Sequence, residues 1–147
     1  MPSEGKEIKN SKLEMKNAPS NSGASGKIPP RDIVERTFDF AARVIQLCGK
    51  MDERPGVARV MMSQILRAGT SVPANVEEAQ AAQSKADFAS KMNIALKEAR
   101  ETHLRLRLLV AANIFPEKQL QPLILEADEI RRVLGAIIVS TKRSGRI

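Results

Sequence analysis

Aromatic side chains are nearly missing from this chain: 147 residues include no Trp, no Tyr and four Phe. Proteins that hold single-stranded RNA or DNA by stacking need aromatic platforms, so any nucleic-acid contact is expected to run through phosphates. A single cysteine, Cys48, excludes an internal disulfide. It falls on an apolar helical face, which predicts a buried free thiol and suits a reducing cytosol. The one histidine, His103, has no cysteine or second histidine at metal-ligand spacing and reads as a satisfied or solvent-facing imidazole. No apolar run approaches the roughly 18 residues that span a bilayer, and the N-terminus lacks the apolar block of a signal peptide, so a cytoplasmic location is expected. A phosphate-cradling glycine loop and a G-x-S-x-G elbow are both missing. Glu77 and Glu78 are adjacent, diverge on a helix and do not pair as acid and base. The expectation is a non-enzyme without metal or cofactor.

What the chain has in excess is positive charge. Lys and Arg number 24 against 17 Asp and Glu, for a net charge of +7 and a pI near 9.9. That balance favours anionic partners through long-range attraction, nucleic acid being the usual one. Incidental charge on a protein-interaction bundle is the alternative.

The organising stretch is Gln64 to Ala79, Q-I-L-R-A-G-T-S-V-P-A-N-V-E-E-A. Val57, Met61, Ile65, Ala68, Val72, Val76 and Ala79 recur every three or four residues and draw an apolar stripe down a helix. Gln64, Arg67, Ser71, Asn75 and Glu78 form a second row at the same spacing. This mixture of amides, hydroxyl, guanidinium and carboxylate suits a partly buried hydrogen-bond network, the alternative being a solvated stripe. Pro73, inside the helix, predicts a kink near Gly69 and Thr70.

Residues 1–30 are rich in Lys, Ser, Asn, Gly and Pro without apolar periodicity and read as a disordered, mildly basic tail: either a weak RNA tether or a solubilising extension. Helices are expected over about 32–50, 56–81, 85–112 and 117–142, with a basic tail over 144–147. In the first helix Ile33, Val34, Thr37, Phe38, Ala41, Val44, Ile45 and Cys48 predict the buried face, and Arg36, Asp39, Arg43 and Gln46 the wet one. Ser84 and Asp87 resemble a capping box at the start of the third helix. There Phe88, Met92, Ala95, Ala99, Thr102, Leu106 and Leu109 follow a four-three alternation. Leu96, Leu104, Leu108 and Ala111 widen its apolar surface, which is compatible with subunit association. Pro116 suits the first turn of the fourth helix, whose buried face is expected to carry Leu120, Leu123, Ile124, Ala127, Ile130, Leu134, Ile137 and Ile138. Its acids come early and its bases late, complementing the helix dipole.

The runs R-A-G-T-S-V-P-A-N-V-E-E-A, S-K-A-D-F and I-A-L-K-E-A-R-E-T-H-L-R-L resemble the bacterial four-helix-bundle family first described from intervening sequences in large-subunit ribosomal RNA genes. They are more distantly similar to the accessory variability protein of diversity-generating retroelements, which works with a reverse transcriptase and RNA. The resemblance covers about Asp32 to Thr141 and implies a homopentameric ring. It carries over no catalytic residues.

The fold expected is therefore all-α, an antiparallel up-down-up-down four-helix bundle. A hairpin of the second and third helices turning near Ala82 would set Arg67 level with Glu98 and Gln64 with Glu101, and Arg67 is predicted to pair with Glu98 or Glu101. Lys97, Arg100 and Arg107 share a face of the third helix, Arg105 lies beside it, and Arg59 stands at similar height across the hairpin. Lys142, Arg143 and Arg146 form a C-terminal basic cluster. These residues make the expected nucleic-acid-binding surface of an oligomeric adaptor to RNA or DNA, accessory to a nucleic-acid enzyme such as a reverse transcriptase. The alternative is a structural or protein-interaction scaffold.

Overall fold

Periodic apolar residues become four α-helices in the computed structural model, which describes residues 32–51 and 55–145. They are α1 (Asp32–Lys50), α2 (Val57–Gln80), α3 (Lys85–Ala111) and α4 (Glu117–Gly145), with no strand among the described residues. The anticipated N-terminal tail and Arg146 lie outside the described residues. Helix α4 runs through Ser144 to Gly145, two residues expected in the C-terminal tail, and Lys142 and Arg143 stand on its last turns.

Local chemistry accounts for the helix ends. The Ser84 hydroxyl accepts a hydrogen bond from the Asp87 amide at 3.0 Å, and the Asp87 carboxylate accepts one from the Gln83 amide at 3.3 Å, which starts α3. Gly56, before α2, has φ of 75°, a left-handed conformation that a side chain would strain. Asn113 takes the same region with φ of 60° in the turn between α3 and α4, where asparagine is tolerated better than most residues. Both helices with an internal proline continue past it, α2 through Pro73 and α4 through Pro122.

Helix α2 packs on α3, α3 on α4, and α1 on α2 and more lightly on α4. Phe40, Ile33 and Val44 of α1, Ile65, Val72 and Val76 of α2, Met92, Leu106 and Leu109 of α3, and Leu120, Ile130 and Leu134 of α4 meet in one core. Each large side chain taken out of water there contributes about 1.5–3 kcal/mol. Two buried hydroxyls are satisfied within their own helices: Thr37 donates to the Ile33 carbonyl at 2.8 Å and Thr102 to that of Glu98 at 2.8 Å.

The buried faces of the first two helices differ from expectation. Phe38 and Ile45 point outward, 56% and 52% exposed, while Phe40 and Leu47 fill the core. Helix α1 carries two interleaved apolar sets, and the one that includes Ile33, Thr37, Phe40, Val44, Leu47 and Met51 faces α2 and α4. In α2, Val57 is exposed and Met61 half-buried, whereas Ala58 and Met62 are buried. Of the second apolar set on α3, Leu104, Leu108 and Ala111 are exposed and Leu96 is half-buried.

Candidate functional site

The polar row of α2 is built on the side facing α3, but it is not a buried network. Gln64, Arg67 and Glu78 are exposed; Ser71 and Asn75 are half-buried. Ser71 donates to the Arg67 carbonyl and Asn75 to the Ser71 carbonyl, each at the spacing of one helical turn. These hydroxyl and amide groups thus spend their bonds on their own backbone. The longer side chains reach α3. Arg67 donates to Glu98 at 3.4 Å and to Glu101 at 3.0 Å, and Glu78 lies 3.4 Å from Lys91.

Arg105 turns toward this row. Its guanidinium is 2.8 Å from Glu101, which it shares with Arg67. The hydrogen bond from Arg105, helped by Arg67 and opposed by slight burial, holds the Glu101 carboxyl below its ordinary range. Arg105 is therefore engaged in an ion pair and is not spare charge for a ligand. Arg59 is exposed and has an interaction of its own as well.

Lys97, Arg100 and Arg107 are different: all three are exposed and make no hydrogen bond or ion pair with another described residue. Arg100 and Arg107 flank His103 by one turn on either side, on the flank of α3 that meets α4. Across the groove, His103 Nε2 lies 3.9 Å from Asp128 Oδ1. Asp128 accepts from Arg131 at 2.8 Å and from Arg132 at 3.1 Å, so two guanidiniums of α4 are gathered at this point. Arg131 and Arg132 outweigh desolvation and hold the Asp128 carboxyl low. Burial, with Arg107 and Arg131 adding to it against Asp128, lowers the affinity of His103 for a proton. Arg107 of α3 and Arg131 of α4 are the cations that act on His103 here, with Asp128 the opposing carboxylate.

Arg131 and Arg132 were absent from the expected binding residues because their place late in α4 is explained by the helix dipole alone. The available signal was Asp128, three and four residues before them, at the spacing that gathers charges on one face. Lys142 and Arg143 are exposed near the end of α4, Arg143 beside a shallow hollow lined by Gly135, Ala136, Val139, Ser140 and Ser144. That hollow is open to solvent. No group of three or more His, Cys, Asp or Glu among the described residues is placed to hold a metal ion.

Two further groups have structural partners. Arg36, expected on the wet face of α1, is 15% exposed and bridges to Glu126 and Glu129 of α4. Cys48 is half-buried, its Sγ 3.6 Å from the Met62 carbonyl oxygen, and burial pushes its thiol up to about 11. Among the described residues no helix is long and apolar enough to cross a membrane.

Comparison with solved structures finds a protein of unknown function from the S23 ribosomal protein family of Bacteroides thetaiotaomicron VPI-5482. It is 40% identical, with a TM-score of 0.67, and the match covers 72% of this chain and 97% of that one. No curated protein matches. The match to the Bacteroides protein joins two like helical folds, and the model of the 23S rRNA-intervening sequence protein family matches residues 31–136, so the chain belongs to that family.

Proposed function

We propose that this protein is a non-enzymatic, cytoplasmic nucleic-acid-binding bundle that holds phosphates in the α3/α4 groove and is accessory to a nucleic-acid enzyme such as a reverse transcriptase. The observation that carries the reading is the pair of exposed, unbridged guanidiniums of Arg100 and Arg107 one turn either side of His103, which faces Asp128 with its partners Arg131 and Arg132 on α4. Uncommitted guanidiniums are free to make bidentate contacts to phosphate oxygens without first breaking an ion pair. With so few aromatic side chains, backbone contact is the mode of binding that this composition supports. The family's name refers to 23S rRNA, which agrees with RNA as the ligand.

In this reading the four helices run antiparallel, up-down-up-down. Glu78, late in α2, meets Lys91, early in α3, while Arg67 meets Glu98 and Glu101; similarly Val44 and Cys48 of α1 lie against Gly69 and Met62 of α2. The numbers rise in one helix as they fall in the next. Assembly as a homopentamer would repeat the groove five times and turn weak contacts into useful avidity. Sedimentation of the purified protein with labelled structured RNA at about 50 and 200 mM salt tests the reading, since phosphate-driven binding weakens steeply over that range. Association at low salt and release at high salt is expected. Indifference to RNA at both salts would point to a protein-interaction scaffold.

A further inference from the structure

His103 is the chain's only histidine, and its side chain stands in the α3/α4 groove at 14% exposure. Its Nε2 lies 3.9 Å from Asp128 Oδ1, beyond hydrogen-bond reach, and that oxygen is already taken. Arg131 reaches it from Nη2 at 2.6 Å and from Nε at 2.8 Å, while Arg132 holds Oδ2 at 3.1 Å. A proton on His103 therefore adds a third cation to one carboxylate. On α3 itself, exposed Arg100 and Arg107 stand one turn before and one turn after the imidazole. The charged groups of the α2/α3 seam, Arg67, Glu98, Glu101 and Arg105, bond to one another on the other flank. Burial first, then Arg107, disfavour the imidazolium; Arg131 adds to them and Asp128 opposes. A charged histidine at this point needs a second anion.

We propose that a nucleic-acid phosphate lodging between Arg107 and Arg131 draws a proton from solvent onto the bare ring nitrogen of His103, so that the groove takes up RNA and one proton together and holds RNA more tightly as pH falls. This coupling rests on the phosphate reading of the groove and adds its regulation. A phosphate beside the two guanidiniums offsets the cations that disfavour the imidazolium, and an anion within about 4–6 Å favours the charged form of a histidine. The effect is reciprocal: if bound phosphate raises the proton affinity of His103 about tenfold, the protonated groove binds phosphate about tenfold more tightly. RNA affinity is then lowest where His103 is neutral in both states. It climbs as pH falls through the titration of the RNA-bound form and levels off below that of the free form. Histidine suits this role because it titrates between about pH 5 and 8, where phosphodiesters keep their charge. Glu101 and Asp128, held low by arginines, and Cys48, pushed up to about 11, titrate outside that window.

The test is the affinity of the full chain and its His103→Gln variant for a 5′-hydroxyl RNA hairpin, by fluorescence anisotropy at fixed salt between about pH 5.5 and 8. Calorimetry of the same binding in two buffers of different ionisation enthalpy counts the protons taken up, a readout that a merely structural role of His103 would not move. The wild type is expected to bind about tenfold more tightly at the acid end of the range than at the alkaline end, with a heat that depends on the buffer. His103→Gln keeps a polar side chain that cannot be charged, so its affinity should change less than about twofold and its heat should be the same in both buffers. His103→Asn is the second variant should Gln lower the helical circular dichroism. A wild type that binds RNA equally across the range, or a His103→Gln protein as pH-dependent as the wild type, would overturn the coupling and leave phosphate binding in place. Binding at no pH would overturn the phosphate reading and the coupling with it.

Discussion

Arg36 and Glu126 join α1 to α4 through a planar fork: Nη2 lies 2.7 Å from Oε1 and Nε 3.1 Å from Oε2 of the same carboxylate. Glu129 takes a third bond from Nη2 at 2.8 Å. Despite the desolvation that opposes it, the guanidinium is held more firmly protonated than usual by these two acids. Since α1 packs only lightly on α4, this pair carries an unusual share of that seam. Replacing Arg36 by Ala strands a mostly buried Glu126, and a loss of about 2 kcal/mol in urea unfolding is expected. Arg36→Lys keeps the charge, loses the fork and should recover no more than about half.

Gly69 of α2 sits against Val44 of α1 so closely that an added Cβ would lie 3.0 Å from Val44 Cγ1 and 3.2 Å from Cγ2. Val44 is fully buried and β-branched, so it has little room to turn away. Gly69→Ala is expected to destabilise the wild type by about 1 kcal/mol, the clash exceeding the gain in helix propensity. In a Val44→Ala background the same change should stabilise by about 1 kcal/mol. Thermal unfolding of the four proteins checks the sign reversal.

Arg67 is 55% exposed, and that exposure limits what its ion pairs contribute. Arg67→Ala should cost no more than about 1 kcal/mol. Glu101 titrates below its ordinary 4.5, so it binds a proton less readily folded than unfolded. Its stabilising contribution is present above about pH 4.5 and is lost as pH falls through the lower folded value. A Glu101→Gln protein should therefore show a flatter loss of stability in that acid range, measured by urea unfolding at several pH values.

Cys48, with its thiol pushed up to about 11, is protonated at pH 8. Reaction with a chromogenic disulfide reagent at that pH should be at least about tenfold slower than in urea-unfolded protein, because the thiolate is the nucleophile.

How far the sequence could be read depended on how one-sided each helix is. In α3 the four-three alternation leads to the buried face from Met92 through Ala95, Ala99, Thr102, Leu106 and Leu109, whereas Phe88, its expected first member, is half-buried and Ala89 is buried beside it. In α1 periodicity alone does not choose between Phe38 with Ile45 and Phe40 with Leu47, because both sets recur at seven residues. The choice is made by neighbours: Gly69 brings Val44 against α2, and Arg36 reaches Glu126 on α4, which turns Phe38 outward. The Arg67 pairing followed from hairpin register, whereas its exposure did not, since pairing and burial are independent properties of a polar row. The groove around His103 was half legible. Arg100 and Arg107 share a face by spacing, but bringing Arg131 and Arg132 to them requires the packing of α3 on α4.

The measurement that most directly tests the proposed role is the salt dependence of RNA affinity for the wild type and for Arg100→Ala/Arg107→Ala, by fluorescence anisotropy between about 50 and 200 mM salt. Each phosphate contact removed should reduce the log–log slope by about 0.7–0.9, so the double variant is expected to lose about 1.5 from the slope and to bind more weakly at every salt. Lys91→Ala, which removes a cation already paired with Glu78, should leave the slope unchanged. Equal slopes for the wild type and the Arg100→Ala/Arg107→Ala protein, or no RNA binding at 50 mM salt, would contradict the account.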